Sequence, residues 1–479
     1  MIAWRDLADI PVALDWRRPP ATEAVGLIAL DSREVVAGRG LVIRSRDPEQ
    51  ASGYAQAAAD RGAAWIIAAP GVLVPETLPG SVALAECDDP ARWAGWAAQR
   101  LAGNPAKRLH LVGVTGTNGK STVVHLIEQV ARHLGRSWGR IGTTGHFIAG
   151  HDLPTRHTTP DAVALAGLLG QAVQGGDEGV AMEVSSHALM QGRVAGLEFA
   201  VAVWTSFSRD HLDYHGDMEA YRDAKARLLA QSRYRILSRG TWSDDLPGEA
   251  RYGQDDLEDL RQERSGMHFT ARGPWGAVAV QTSLIGQYNA MNLLAVLHVA
   301  HALGWPLDRV VAALSKATGA PGRMERVGGA GPLVLVDYAH TPDGLEAALG
   351  AVMQLPHSRV TVLFGAGGDR DAGKRPLMGQ AASRAGRIVL TDDNPRGEDP
   401  AAIRGQIRAG IVAGVEVIEI DDRGTAIEVA IARAADDEIV LIAGKGHETT
   451  QTVGGRVLPF DDRQVAAQAL LHRAGKTPS

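Results

Sequence analysis

The chain is predicted to be a multidomain α/β protein whose central strands form largely parallel sheets, and three observations carry that expectation. Its 479 residues, at roughly 100–200 residues per domain, divide into two to four domains with room for separate cores. Short apolar runs at Leu333–Val336, Arg359–Phe364, Arg387–Thr391, Val415–Ile420 and Ile439–Ala443 alternate with alanine-rich helical patterns. Strands read this way when helices cover both faces of a parallel sheet. Finally, the β-rich run Leu109–Val114 passes through a glycine-rich turn into a helical pattern over Ser121–Leu134. Val123, Leu126, Ile127, Val130 and Leu134 recur there at helical spacing.

Taken in order, the first block (residues 1–105) holds apolar runs at Val25–Leu30 and Ala64–Ala69 and a helical stretch around Gln50–Arg61, an α/β module that ends at Asn104-Pro105. The second (residues 106–326) carries the strand–turn–helix unit and two more runs suited to central strands, Val180–Val184 and Ala200–Thr205. The third (residues 327–479) contains the five alternating runs.

Basic and acidic residues number 49 and 55, for a net charge of −6. That balance points to neither a nucleic-acid nor a membrane partner. The first residues carry charges where a signal peptide needs an apolar run, and no stretch approaches the roughly 20 apolar residues of a membrane span. A cytoplasmic protein is expected. The single cysteine, Cys87, rules out a disulfide within the chain and reads as a small core residue.

The strongest local signal is Gly113-Val-Thr-Gly116-Thr117-Asn118-Gly119-Lys120-Ser121-Thr122. Glycines let backbone N–H groups wrap around phosphates, and the helix that follows offers its positive end. Lys120 is placed to neutralise β- and γ-phosphates, and the Ser121 hydroxyl to reach Mg²⁺. Valine at 114, where the usual pattern has glycine, makes the loop a variant. By itself it says only nucleoside triphosphate.

Glu183 closes the run Val180–Val184, and a strand end beside a phosphate loop is where a Mg²⁺ ligand belongs. Ser208-Arg-Asp-His211-Leu-Asp-Tyr-His215 is dense in metal-binding and acid/base groups. No His/Cys spacing suits structural zinc, so hard oxygen ligands favour Mg²⁺. Lys225 lies in a helical stretch and, by spacing alone, reads as a solvated surface lysine.

These strings together resemble the Mur ligases over nearly the whole chain. They are Gly116–Ser121, Thr158-Thr159-Pro-Asp161, Glu183-Val-Ser-Ser-His187, Ser208–Gly216, Asn289 with Asn292, Gly322–Glu325, Val336–Asp343, Gly367–Asp371 and Gly444–Glu448. Within that family the MurE branch is the nearest likeness. The resemblance implies three domains: residues 1–105 for the UDP end of the substrate, 106–326 as a central P-loop ATPase and 327–479 as a Rossmann-like domain for the incoming amino acid. It implies that Lys225 is carbamylated and that Ser121, Glu183, His211 and Lys225 hold Mg²⁺. Lys120, Glu183, His211 and Lys225 would then serve catalysis. Asn292, Arg323 and Asp337 would join Gly116–Thr122 at ATP, while Ser32, Thr158, Thr159, Ser185, Gln191 and Arg193 would meet the UDP-muramoyl dipeptide.

The implied reaction is an ADP-forming ligation. The D-glutamate carboxylate takes the γ-phosphoryl group of ATP, and the amine of the third amino acid displaces phosphate from the acyl phosphate, with domain closure expected to exclude water. Asp393-Asn394-Pro395-Arg396 is similar to the signature of the branch that adds meso-diaminopimelate. Arg396 is suited to clamp the distal carboxylate that lysine lacks, with Arg370, Gly444 and Glu448 completing the pocket. A monomer is expected. The sequence departs from the family in the first domain, where Arg44–Tyr54 replaces the usual Gly-His-rich segment, and at His157, Ser206 and Thr449-Thr450. A paralogue acting on another carboxyl donor or amino acid is the alternative reading; an inactive ATP-binding scaffold is the non-enzyme one.

Overall fold

A computed structural model describes residues 2–73, 75–155, 157–329 and 331–475. The chain forms two compact units, one of residues 1–253 with 295–306, the other of residues 254–294 with 307–479.

The first unit opens with a five-stranded sheet of β1 (Asp15–Arg18), β2 (Ile28–Ala29), β3 (Gly40–Val42), β4 (Trp65–Ala68) and β5 (Ala83–Glu86), in the order β1-β5-β4-β3-β2. Only β1 is antiparallel. The run Val25–Leu30 contributes just two residues to it. Helices α1 (Pro48–Asp60) and α2 (Pro90–Leu101) each begin on an Asp-Pro pair. Asp47 and Asp89 accept from the backbone N–H three residues on, and proline at the first helical position loses nothing by lacking an N–H. Cys87 is buried, and burial pushes its thiol up to about 12, in keeping with a core role.

An eight-stranded sheet follows. Its elements are β6 (His110–Thr115), α3 (Lys120–His133), β7 (Trp138–Gly142), β8 (Gly145–Ile148), β9 (His151–Leu153), α4 (Ala162–Gln174), β10 (Gly179–Glu183), α5 (Ser186–Met190), β11 (Phe199–Trp204), α6 (Leu212–His215), α7 (Met218–Ala230), β12 (Ser232–Ser238) and β13 (Ala250–Tyr252). The strand order is β13-β12-β11-β6-β10-β7-β8-β9, parallel except for β8 and β9. Thus β6 lies between β10 and β11, with Glu183 opposite Val114 and Trp204 opposite Thr115. That register puts the ends of both neighbouring strands beside the turn that leaves β6.

The second unit holds an antiparallel three-stranded sheet of β14 (Leu257–Glu263), β15 (Gly266–Gly273) and β16 (Gly276–Thr282), which the sequence reading did not anticipate. Helix α8 (Gln287–Ala302) crosses the division between the units; α9 (Leu307–Leu314) comes next. A six-stranded sheet is then built from β17 (Glu325–Val327), β18 (Leu333–Asp337), α10 (Pro342–Val352), β19 (Val360–Phe364), α11 (Lys374–Ala382), β20 (Arg387–Leu390), α12 (Pro400–Arg408), β21 (Glu416–Glu419), α13 (Arg423–Arg433) and β22 (Ile439–Ala443). Its order is β17-β18-β22-β19-β20-β21, parallel apart from β17. All five expected runs are strands. Core side chains line both faces, led by Leu335, Val362 and Leu441 on one and Val334, Leu363 and Val440 on the other. The hairpin of β23 (Thr450–Val453) and β24 (Arg456–Pro459) precedes α14 (Asp462–Arg473). Because β19, β20 and β22 are adjacent and parallel, the loops after their carboxyl ends converge, the usual place for a ligand in such a sheet.

Candidate active site

In the first unit the turn after β6 is a phosphate loop in form. Gly116 takes φ +145°, and a Cβ there would lie 2.1 Å from the Thr205 hydroxyl; Gly119 takes φ +89° as it enters α3. Both positions therefore call for glycine. The Asn118 N–H donates to Ser206 Oγ at 2.8 Å, and the Thr117 N–H to the Ser206 carbonyl at 2.9 Å. Lys120 Nζ curls back onto the carbonyls of Gly116 and Thr117 at 2.8 and 2.9 Å.

Glu183 is 1% exposed. Its carboxylate accepts from Ser121 Oγ (3.0 Å), the Thr143 N–H (2.8 Å) and Thr143 Oγ1 (3.3 Å). The Thr143 and Thr158 hydroxyl oxygens lie 3.0 Å apart. No cationic side chain pairs with Glu183 among the described residues. A buried carboxylate held by hydroxyl and amide donors alone is suited to a cation.

Lys225, read from its spacing as a surface lysine, is instead 1% exposed. Helix α7 turns it inward, where its Nζ donates to the Gly116 carbonyl at 2.9 Å and sits 4.4 Å from the centre of the Tyr221 ring. Burial, then the neighbouring Lys120, holds its amine well below the ordinary lysine range. His211 caps α6 with φ +54°, pairs with Asp210 at 3.4 Å and meets the His187 ring edge-on at 4.9 Å. Thus Ser121 and Glu183 are in direct contact, Lys120 and Lys225 share one carbonyl, and His211 is linked to Lys225 through the Tyr221 ring, whose centre lies 6.1 Å from that of its imidazole. No group of three or more His, Cys, Asp or Glu side chains suited to a metal occurs among the described residues.

The residues expected at the UDP-muramoyl dipeptide gather around Thr159. Thr159 Oγ1 bridges the Glu183 carbonyl (2.9 Å) and the Ser185 N–H (3.1 Å), and Ser185 Oγ caps α5. Arg193 donates to the Thr159 carbonyl at 2.6 Å and through Nε and Nη2 to Gln191 Oε1. Ser32 lies buried just after β2.

In the second unit Asp337 closes β18 and accepts from the N–H groups of Met324 (2.7 Å) and Ala339 (2.9 Å). The Arg323 guanidinium lies 4.5 Å from the Tyr338 ring centre, and its buried Nε has no hydrogen-bond partner. Asn292 Nδ2 donates to Asn289 Oδ1 at 3.0 Å.

The loops beyond β19, β20 and β22 interlock. Gly444 takes φ +113°, and a Cβ there would lie 2.6 Å from the Asp393 carboxylate. Asn394 Nδ2 donates to Asp393 Oδ1 (3.1 Å) and Glu448 Oε2 (2.9 Å). Lys445 is fully buried, with Nζ at 2.9 Å from Glu448 Oε2 and 2.6 Å from the Thr450 carbonyl. Arg396 adopts φ +53° beyond the buried Pro395, and its Nη1 donates to the Gly368 carbonyl at 2.7 Å. Its Nε and Nη2 have no partner among the described residues. Arg370 is exposed. Sequence reading did not single out Thr143, Arg375, Glu398 or Lys445 as functional; Lys445 alone stood inside a recognised string.

A glycine loop after β6, with Lys120 opening α3 and a strand-end acid on β10 touching Ser121, gives the first unit the frame of a P-loop nucleotide-binding domain. Residues 114–300 match the family model of the Mur ligase middle domain, and residues 322–446 that of the "Mur ligase, glutamate ligase domain". The chain belongs to the Mur ligase family. It is 42% identical over 475 residues, 93% of this chain and 95% of the relative, to the UDP-N-acetylmuramoyl-L-alanyl-D-glutamate--2,6-diaminopimelate ligase of Geobacillus thermodenitrificans. A solved structure of a ligase of the same name superposes with a TM-score of 0.71 at 34% identity, covering 99% of each chain. The MurF ligase of Thermotoga maritima, solved in complex with ADP, shares the fold with a TM-score of 0.58 at 18% identity, covering 93% of this chain and 96% of its own. Among the described residues no helix is long and apolar enough to cross a membrane.

Proposed function

We propose that the chain is an ATP-dependent ligase that adds meso-diaminopimelate to UDP-N-acetylmuramoyl-L-alanyl-D-glutamate in the cytoplasmic synthesis of peptidoglycan precursors. Residues 1–105 would take the UDP end, 106–326 ATP and 327–479 the amino acid. The observation that carries the choice of amino acid is Arg396, whose guanidinium is anchored at one nitrogen and open at the other two. That leaves a fork for a second carboxylate.

The N–H groups of the phosphate loop and Lys120 cradle the triphosphate and counter the charge spread over the transferring group. A carboxylate oxygen of the D-glutamate side chain attacks the γ-phosphorus, the bond to the ADP oxygen breaks, and an acyl phosphate forms. The neutral amine of the amino acid attacks the acyl carbon; phosphate leaves with the bonding pair and the nitrogen gives up a proton. Thr158, Thr159, Ser185, Gln191, Arg193 and Ser32 hold the nucleotide substrate, while Asn292, Arg323 and Asp337 serve ATP. Arg396, Arg370, Glu448, Asp393, Asn394 and Gly444 hold the amino acid. Ser121, Glu183, His211 and a carbamylated Lys225 would hold Mg²⁺, which neutralises phosphate oxygens when bound. The depressed amine of Lys225 favours the neutral form that reacts with CO₂.

Purified protein tests the reading by ADP release across a matrix of nucleotide-linked acids and amines. Release is expected only when the UDP-muramoyl dipeptide and meso-diaminopimelate are both present. Release with no acid–amine pair would overturn it.

A further inference from the structure

We propose that the ion pair of Arg375 and Glu398 is the positioning device of the amino-acid pocket, presetting the Arg396 guanidinium and thereby selecting an amino acid with a distal carboxylate. The inference rests on the functional reading above and adds two residues that make no contact with the substrate in that reading.

Arg375 is fully buried on α11. Its Nη1 donates to Glu398 Oε2 at 2.8 Å and to Gln406 Oε1 of α12 at 2.7 Å; its Nη2 donates to Glu398 Oε1 at 2.9 Å and to the Gly367 carbonyl at 3.1 Å. One guanidinium thus ties two helices to both loops of the pocket. Glu398 in turn accepts from the Asp369 N–H. The two loops are stitched further by the Gly368 N–H on the Asn394 carbonyl (2.9 Å) and the Gly397 N–H on Asp369 Oδ2 (3.0 Å).

What this frame holds is strained. Asp369 and Arg396 both carry left-handed backbone, φ +54° and +53°, without being glycine. Such conformations persist only where the surroundings over-determine them, and they cluster at ligand clamps. The packing has no slack: a Cβ on Gly368 would lie 1.9 Å from the Pro395 carbonyl oxygen, and one on Gly367 would lie 2.8 Å from Arg396 Nη1. The Gly368 carbonyl that anchors Arg396 belongs to the loop fastened by Arg375. If Glu398 loses its charge, the clamp loosens and the fork on Arg396 no longer arrives set.

The test uses Glu398→Gln, which keeps the shape, and Arg375→Lys, which keeps the charge but loses the fork. Steady-state kinetics are measured for each substrate, beside thermal melting and the reference variant Arg396→Ala. The KM for meso-diaminopimelate should rise about tenfold or more in both variants while those for ATP and the nucleotide stay put. The preference for meso-diaminopimelate over lysine, which lacks the distal carboxylate, should shrink. Glu398→Gln added to Arg396→Ala should raise KM no further, because both act on one contact. Unchanged KM for meso-diaminopimelate, a uniform fall for every substrate, or additive effects in the double variant would overturn the proposal. Wild-type protein that does not use meso-diaminopimelate would instead overturn the functional reading, which keeps the two failures apart. Should one variant not fold, the other carries the same readouts.

Discussion

The Nζ atoms of Lys120 and Lys225 donate to the same carbonyl oxygen, that of Gly116, at 2.8 and 2.9 Å. One lysine opens α3 and the other lies on α7, so two distant stretches of sequence place two amines on a single backbone acceptor. Two ammonium groups this close repel, and Lys225, buried where Lys120 is only half-buried, is the one whose charged form suffers. The neutral amine is the form of a lysine able to add to CO₂.

Lys225 should therefore carry a carbamate. Protein equilibrated with carbon-13 bicarbonate should show a carbamate resonance that Lys225→Met lacks, and Lys225→Met should lose ADP formation by about 100-fold or more, the scale of removing a charge-stabilising group from an active site. Acid reverses the modification, because protonation of the amine withdraws the reacting species, so the resonance should fade as pH drops. In the unmodified protein the folded state binds fewer protons at Lys225 than the unfolded chain between its lowered pKa and the ordinary lysine value. Stability should accordingly rise with pH across that interval. A resonance that persists in Lys225→Met would place the carbamate elsewhere.

Gly142→Ala should disable the site without disturbing the backbone. Gly142 does not use the left-handed region, yet a Cβ there would lie 2.3 Å from Glu183 Oε1. The methyl group must push the carboxylate away from the Ser121 hydroxyl. Turnover should fall about tenfold or more at limiting Mg²⁺ and recover in part when Mg²⁺ is raised. Titrating Mg²⁺ against the initial rate measures this, and an unchanged titration would show that Glu183 does not need its present position.

Legibility followed the reach of each interaction. The strand Ile439–Ala443 was plain because a parallel strand covered on both faces must be apolar throughout. The place of Glu183 at a strand end beside the phosphate loop could be read because the apolar run Val180–Val184 stood out as a central strand, and the structure sets its carboxylate on Ser121 Oγ. The sheet at 257–282 was hidden because Leu257–Glu263 is mostly polar, with none of its residues fully buried. Lys225 misled because a lysine is expected to face water, although Tyr221, Ala224, Leu228 and Leu229 fall at i, i+3, i+7 and i+8 and so put residue 225 on the inward face of α7; the acceptor that holds its amine there, the Gly116 carbonyl, is remote in sequence. Thr143 meets Glu183 across 40 residues and Arg375 meets Glu398 across 23, separations that no spacing rule registers.

Breaking the pair of Arg423 and Asp462 should destabilise the second unit sharply, although the intact pair adds little net stability. Both side chains are fully buried, joined by two bonds of 2.7 Å, and Arg423 Nη2 also donates to the Ala443 carbonyl at 3.0 Å, fixing the end of β22 just before Gly444. Burial alone would lower the Arg423 pKa, but Asp462 outweighs it and the net shift is upward. Removing one partner strands the other charge in the core, so Asp462→Ala should cost about 3–5 kcal/mol and lower the melting temperature. Replacing both residues with well-packed apolar side chains should recover most of that loss, because no charge is then left alone. Calorimetry on the single and double variants decides it: equal destabilisation in both would mean the pair is valued for its hydrogen bond to Ala443 and not for its charge.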